Sequence, residues 1–174
     1  MKNTVKVCVH ARMQNRTALG IFHAYIKLNP EVGIRDLKMV FPNTLNPDSG
    51  VSEIFVPSNQ KGNNEKWKGY FFEDEAYLHL SDGSELAVVS MWTKPSLERL
   101  QKHAEKYGIT TFKEENKDCL DNKSKFSLEY LNGFVPKEIV ARTNNEEGTT
   151  KAKRKVYFYV VAIVALGMLL YLLL

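Results

Sequence analysis

The nineteen residues from Val156 to Leu174, VYFYVVAIVALGMLLYLLL, carry no charged side chain, and no other feature of the chain restricts its fold as tightly. A helix rises about 1.5 Å per residue, so the run matches the roughly 30 Å hydrocarbon thickness of a bilayer. A transmembrane helix is expected there, with the lipid bilayer as its partner. Tyr157 and Tyr159 at one boundary and Tyr171 near the other bear amphipathic rings that settle among headgroups. Lys151, Lys153, Arg154 and Lys155 abut the run as a membrane-surface anchor, and cations on that side place it in the cytoplasm. With the run ending the sequence, the expectation is a single-pass, tail-anchored protein with a cytoplasmic head. A cleaved lipid-anchor signal would require an export signal at the start. The opening residues instead alternate polar and apolar.

Those four cations also account for the whole net charge of +4. The chain has 24 basic and 20 acidic residues, so residues 1–150 are neutral, 20 against 20. A sequence-independent nucleic-acid binder needs a surplus of Lys and Arg to displace counterions from phosphates. Nucleic acid is therefore disfavoured as a partner of the head. Cys8 and Cys119 lie far apart with no metal-knuckle spacing, and each is expected to be a small buried or inert group. No disulfide framework is implied.

Hydrophobic periodicity organises the head. Thr4 to Met13 alternates as a strand, with Val5, Val7, Val9 and Ala11 inward and His10 toward water. Thr17 is a suitable N-cap for a helix with Ala18, Ile21, Phe22, Tyr25, Ile26 and Leu28 at helical spacing, broken by Asn29-Pro30. Ile34, Leu37, Val40 and Phe41 mark a second short helix, and the pair raises a helix-turn-helix reading. Val51 to Val56 reads as a strand, and 57–66 as a polar loop. The Tyr77 to Trp92 segment predicts a β-hairpin turning on Ser81-Asp82-Gly83-Ser84, with Asp-Gly in a type I′ turn. Lys94-Pro95-Ser96 opens a helix with Leu97, Leu100, Ala104 and Tyr107 inward, ended by Gly108. Ile109 to Phe112 is expected to add an edge strand.

The expected fold is α+β: a small sheet of four to five strands including the hairpin, packed by two to three helices, plus the C-terminal transmembrane helix. The head spans 1–112. A linker at 113–125 carries eight charged side chains. At 126–142 an apolar island is expected either to dock back as a helix or to bind a partner. A flexible basic juxtamembrane segment, 143–155, leads to the anchor at 156–174.

No Cys-x-x-Cys pair, His-x-x-x-His pair or phosphate-cradling glycine loop is present, which counts against an enzyme. No catalytic residue, cofactor or metal ligand is expected. His10, His23, His79 and His103 are scattered over four elements, and Glu73-Asp74-Glu75 reads as a solvated turn. A hydrolase assembled from His79, Asp82 and nearby acids has no motif behind it. Trp67, Tyr70, Phe72 and Trp92 concentrate aromatic area and are the candidate partner-binding residues. Arg35 and Lys38, on one side of the second helix, are the candidate DNA contacts.

The stretches GIRDLKMVFP and GYFFEDEAYLHLSDGSELAVVSMW, with a helix ending in KYGI, resemble a small α/β domain of prokaryotic proteins. In that domain a Phe-Pro helix end precedes Tyr-Phe, a Leu-x-Asp-Gly hairpin, a strand closing on Trp, and a helix running into Gly. The resemblance covers about residues 17 to 112, with Ser90-Met91 in place of an amide-bearing pair. It implies association with restriction or defence proteins and carries over no catalytic residue. The function expected is a membrane-tethered protein-interaction or adaptor module with a cytoplasmic or membrane protein partner. The alternative is a DNA-binding or restriction/defence-associated module held at the membrane.

Overall fold

The structure, a computed structural model, describes residues 4–50, 52–61, 69–115 and 125–137. Contacts divide the chain into two units, 1–141 and 142–174, and all described residues belong to the first. In chain order they form β1 (Val7–Ala11), α1 (Gln14–Leu28), α2 (Ile34–Val40), β2 (Phe55–Pro57), β3 (Leu78–His79), β4 (Glu85–Val88), α3 (Lys94–Ala104), β5 (Ile109–Lys113) and β6 (Phe126–Tyr130).

The fold is α+β, but its strands form two sheets of three instead of one of four or five. The first sheet has the order β5-β1-β6 and the second β2-β4-β3. β1 is central, parallel to β5 and antiparallel to β6. The hairpin strands β3 and β4 never meet β1, because β4 spends its other edge on β2. Alternation along one strand reveals its faces but not its neighbour, so the division was invisible locally.

α1 joins the sheets. Thr17 to Phe22 are all buried, as are Ala24, Tyr25 and Ile26, and a helix buried on nearly every side lies between layers. On one side Gly20 sits so close to Val9 and Phe126 that a Cβ would collide with the Val9 side chain. On the other, the Phe22 ring packs edge-to-face on Phe55 at 4.9 Å and on Phe41 at 5.1 Å, and lies 6.0 Å from Trp92. α3 presents Leu97, Leu100 and Ala104 to the same core. Thr93 caps it by accepting the Ser96 N–H at 3.3 Å. Gly108 follows at φ +76°, a left-handed position that the chain uses to leave the helical turn for β5.

Several local expectations shift. α1 starts at Gln14, so Thr17 is a first-turn residue whose hydroxyl donates back to the Met13 carbonyl at 3.1 Å. β2 begins at Phe55, later than the run from Val51 suggested. In the hairpin, Leu80 and Ser84 close a three-residue loop: the Gly83 N–H reaches the Leu80 carbonyl at 3.1 Å, and Gly83 alone has positive φ, +80°. That is a type I turn with a left-handed glycine, not a type I′ turn. The start of the island after residue 125 is strand β6, against the docking helix that is one expectation from the sequence; residues 138–142 of the island lie outside the described residues. Its Phe126, Leu128 and Tyr130 pack against the core while Ser127 and Glu129 stay exposed. No helix among the described residues is long and apolar enough to cross a membrane. The transmembrane helix expected at 156–174 lies outside the described residues, as do Trp67, Cys119, Lys151, Lys153, Arg154, Lys155, Tyr157 and Tyr159.

Candidate functional site

β1 and β5 run parallel and end together, Ala11 opposite Lys113, beside the start of α1. An open cleft of about 610 Å³ lies there, lined among others by Arg12, Asn15, Met91, Trp92, Thr93 and Lys113. A cleft at the carboxyl ends of parallel strands is a recurrent place for ligands, because the turns into helices point free backbone N–H groups toward it.

The wall formed by α1 is electropositive for a local reason. Its N-cap is Met13, which offers no side-chain acceptor, and no acidic residue occupies the first turn. The first N–H groups of the helix therefore keep their partial positive charge. Arg12 and Lys113 add two full charges, and among the described residues neither stands in an ion pair. Asp48, the acid on the rim, is engaged by Arg99 at 2.6 Å and Ser96 at 3.2 Å. The Arg99 hydrogen bond holds its carboxyl below the usual range, so it remains ionised and committed to Arg99. Met13 and Met91, both largely exposed, form an apolar lip. Such a cleft suits a carboxylate or other anionic group with apolar material beside it.

Among the described residues, the aromatic candidates Tyr70, Phe72 and Trp92 do not form one exposed surface. Trp92 is buried at 8% exposure, its Nε1–H donating to the Val89 carbonyl at 2.9 Å. It is a core side chain that also lines the cleft. Tyr70 is half-buried, and its hydroxyl donates to the Glu53 carbonyl. Burial first, and the Glu53 charge second, push it up to about 12, so it stays a neutral phenol. Phe72 packs beside Tyr70 at the edge of a small cluster of Val56, Tyr77 and Ala87. On α2, Arg35 is exposed and Lys38 is paired with Glu53 at 3.1 Å.

The histidines and acids are likewise answered one by one. His79 Nδ1 faces Glu85 at 3.1 Å, and His103 Nε2 contacts the Val40 carbonyl at 2.7 Å. Glu73 pairs with Arg16 and Asp74 with Lys61. Asp82 serves backbone: its Oδ2 accepts the Ile34 N–H at 2.8 Å and its Oδ1 the Ser84 N–H at 2.9 Å. The hydrolase grouping of His79 with Asp82 is thus not assembled.

Sequence reasoning missed the cleft entirely. Arg12 and Lys113 are 101 positions apart, and only the parallel pairing of β1 with β5 brings them together. The one signal available was a helix starting without a capping side chain or an acidic first turn, which the assignment of Thr17 as N-cap concealed. Comparison with protein-family models, with curated proteins and with solved structures finds no match to the chain.

Proposed function

We propose that this chain is a membrane-tethered binding module whose head engages an acidic segment of a protein partner through the cleft between Arg12 and Lys113. The observation that carries the reading is the pairing of two unneutralised cations with the uncapped N-terminus of α1 over an apolar methionine lip. The neutral overall charge of residues 1–150 supports a local recognition site over a general polyanion surface. The uncharged run 156–174 supports the tether. Confinement to a surface raises the effective concentration of a modest site, so a two-cation cleft suffices for useful occupancy.

The test uses the full chain in detergent micelles and a fluorescently labelled glutamate-rich peptide, followed by anisotropy. Saturable binding that weakens with salt, and that falls at least about tenfold in Arg12→Glu/Lys113→Glu with unchanged circular dichroism, is expected. Equal binding by the charge-reversed variant would refute the assignment. Duplex DNA is the competing probe: retention lost in Arg35→Ala/Lys38→Ala would establish the DNA-binding or defence-associated alternative. The engagement of Lys38 by Glu53 weighs against that outcome.

A further inference from the structure

The other face of the β5-β1-β6 sheet holds a second grouping, away from α1 and unrelated to the cleft chemistry. Val7, Val9 and Ala11 point into the core, so the pleat turns Cys8 and His10 to the opposite side. β6 places Glu129 directly across from Cys8. Ligand atoms of Cys8, His10 and Glu129 all lie within 4.8 Å of one another. His10 Nε2 is 2.9 Å from Glu129 Oε2, and its Nδ1 is 4.0 Å from Glu114 Oε2. The Phe112 ring lies beside the imidazole, centroids 5.3 Å apart and tilted by 46°.

We propose that Cys8, His10 and Glu129 form a site for a zinc-class divalent cation, with Glu114 as the positioning residue behind the His10 ring. A thiolate, an imidazole and a carboxylate are the donor types that borderline-soft Zn²⁺ accepts, and three protein donors leave a fourth position for water. Tetrahedral coordination separates donor atoms by roughly 3.3 to 3.6 Å. The His10–Glu129 pair must therefore open by a few tenths of an ångström, and the thiol must close toward them. The first adjustment is open to Glu129, which is exposed and ends on a flexible carboxylate. Ligation through Nε2 leaves Nδ1–H facing Glu114, whose Oε2, 4.0 Å away, would have to close by about 1 Å to make the carboxylate–histidine hydrogen bond that fixes ring orientation and raises ligand basicity.

A plain ion pair would account for His10 and Glu129 alone. It does not account for the Cys8 thiol, which the β1–β6 register sets directly opposite the same carboxylate and within reach of the imidazole. A cation would engage all three donors at once. The thiol S–H bond breaks, the proton leaves to solvent, and the sulfur lone pair bonds the metal between the thiolate and the carboxylate. Binding therefore releases a proton and weakens as pH falls.

The experiment titrates the full chain in detergent micelles with Co²⁺, watching the near-ultraviolet thiolate-to-cobalt charge-transfer band, then displaces Co²⁺ with Zn²⁺. One equivalent is expected to saturate the band. Cys8→Ser should abolish it, Glu129→Gln should weaken binding at least about tenfold, and Glu114→Gln should weaken it by about 10- to 100-fold while the band persists. Cys119→Ser should change nothing. A band that follows Cys119, or the absence of any saturable band in the folded wild type, would overturn the site. Because Glu129 lies on an exposed edge, its variant decides the matter even if Cys8→Ser fails to fold: unchanged Co²⁺ affinity there also rejects the proposal.

Discussion

Phe22 is the side chain on which the two sheets meet through α1, fully buried between Phe55 on β2, Phe41 after α2, and Trp92. Phe22→Ala should therefore cost about 3–5 kcal/mol, read from urea unfolding by tryptophan fluorescence, because a rigid aromatic cluster cannot collapse into the gap. Helical spacing alone marked Phe22 as inward. It did not mark Gly20, where the close approach of Val9 excludes a side chain. Gly20→Ala gains about 1 kcal/mol of helix propensity but overpacks at a cost of about 1–3 kcal/mol, so a modest net loss of stability is expected in the same assay. His23, beside Phe126, behaves differently. Burial lowers its pKa from 6.5 to about 4, partly offset by its hydrogen bond to the Ala76 backbone. Between those values the unfolded chain binds a proton that the folded chain does not. Its stabilising contribution is complete above about pH 6.5 and falls by about 2 kcal/mol by about pH 5. His23→Leu should flatten that part of the stability profile; an unchanged slope between about pH 7 and about pH 5 would refute the assignment.

At the scale of elements, the hairpin loop is also the cap of a helix. Gly33, the N-cap of α2, has no side chain to offer, and Asp82 reaches across from the β3–β4 loop to take the Ile34 N–H. Burial pushes the Asp82 carboxyl up, but the N–H groups of Ile34 and Ser84 outweigh it and hold the pKa below the usual value. A Cβ at Gly33 would stand 2.9 Å from Asp82 Oδ2, so a side chain there would displace that carboxylate from its position on the Ile34 N–H. Asp82→Ala should cost about 1–2 kcal/mol, with Asp82→Asn milder because an amide oxygen still accepts one bond; thermal unfolding of the two variants gives the comparison. Asp82-Gly83 was legible as a turn, and α1, α2, α3 and β5 were legible from their periods and end signals. The second role of Asp82 was not, because its partner lies 48 residues away. β6 escaped for a related reason. Phe126, Leu128 and Tyr130 alternate, but Leu131, Phe134 and Val135 continue the apolar run past the strand and blur period 2 into a helical reading.

For the whole molecule, the proposed tether and the head are separable. Removing residues 156–174 should move the protein from the membrane pellet to the soluble fraction while leaving acidic-peptide affinity unchanged; a truncated chain that still resists carbonate extraction would sink the tether. The sequence by itself determined the charge partition between residues 1–150 and the basic cluster. It also determined the presence of α1, α3 and the hairpin, because each depends on spacing and caps within a few neighbouring residues. Only the tertiary structure decided that the strands divide into two sheets with α1 between them. It alone set Arg12 beside Lys113 on one side and Cys8 beside Glu129 on the other. Strand pairing joins segments more than a hundred residues apart, and no local period encodes which edge a strand will choose.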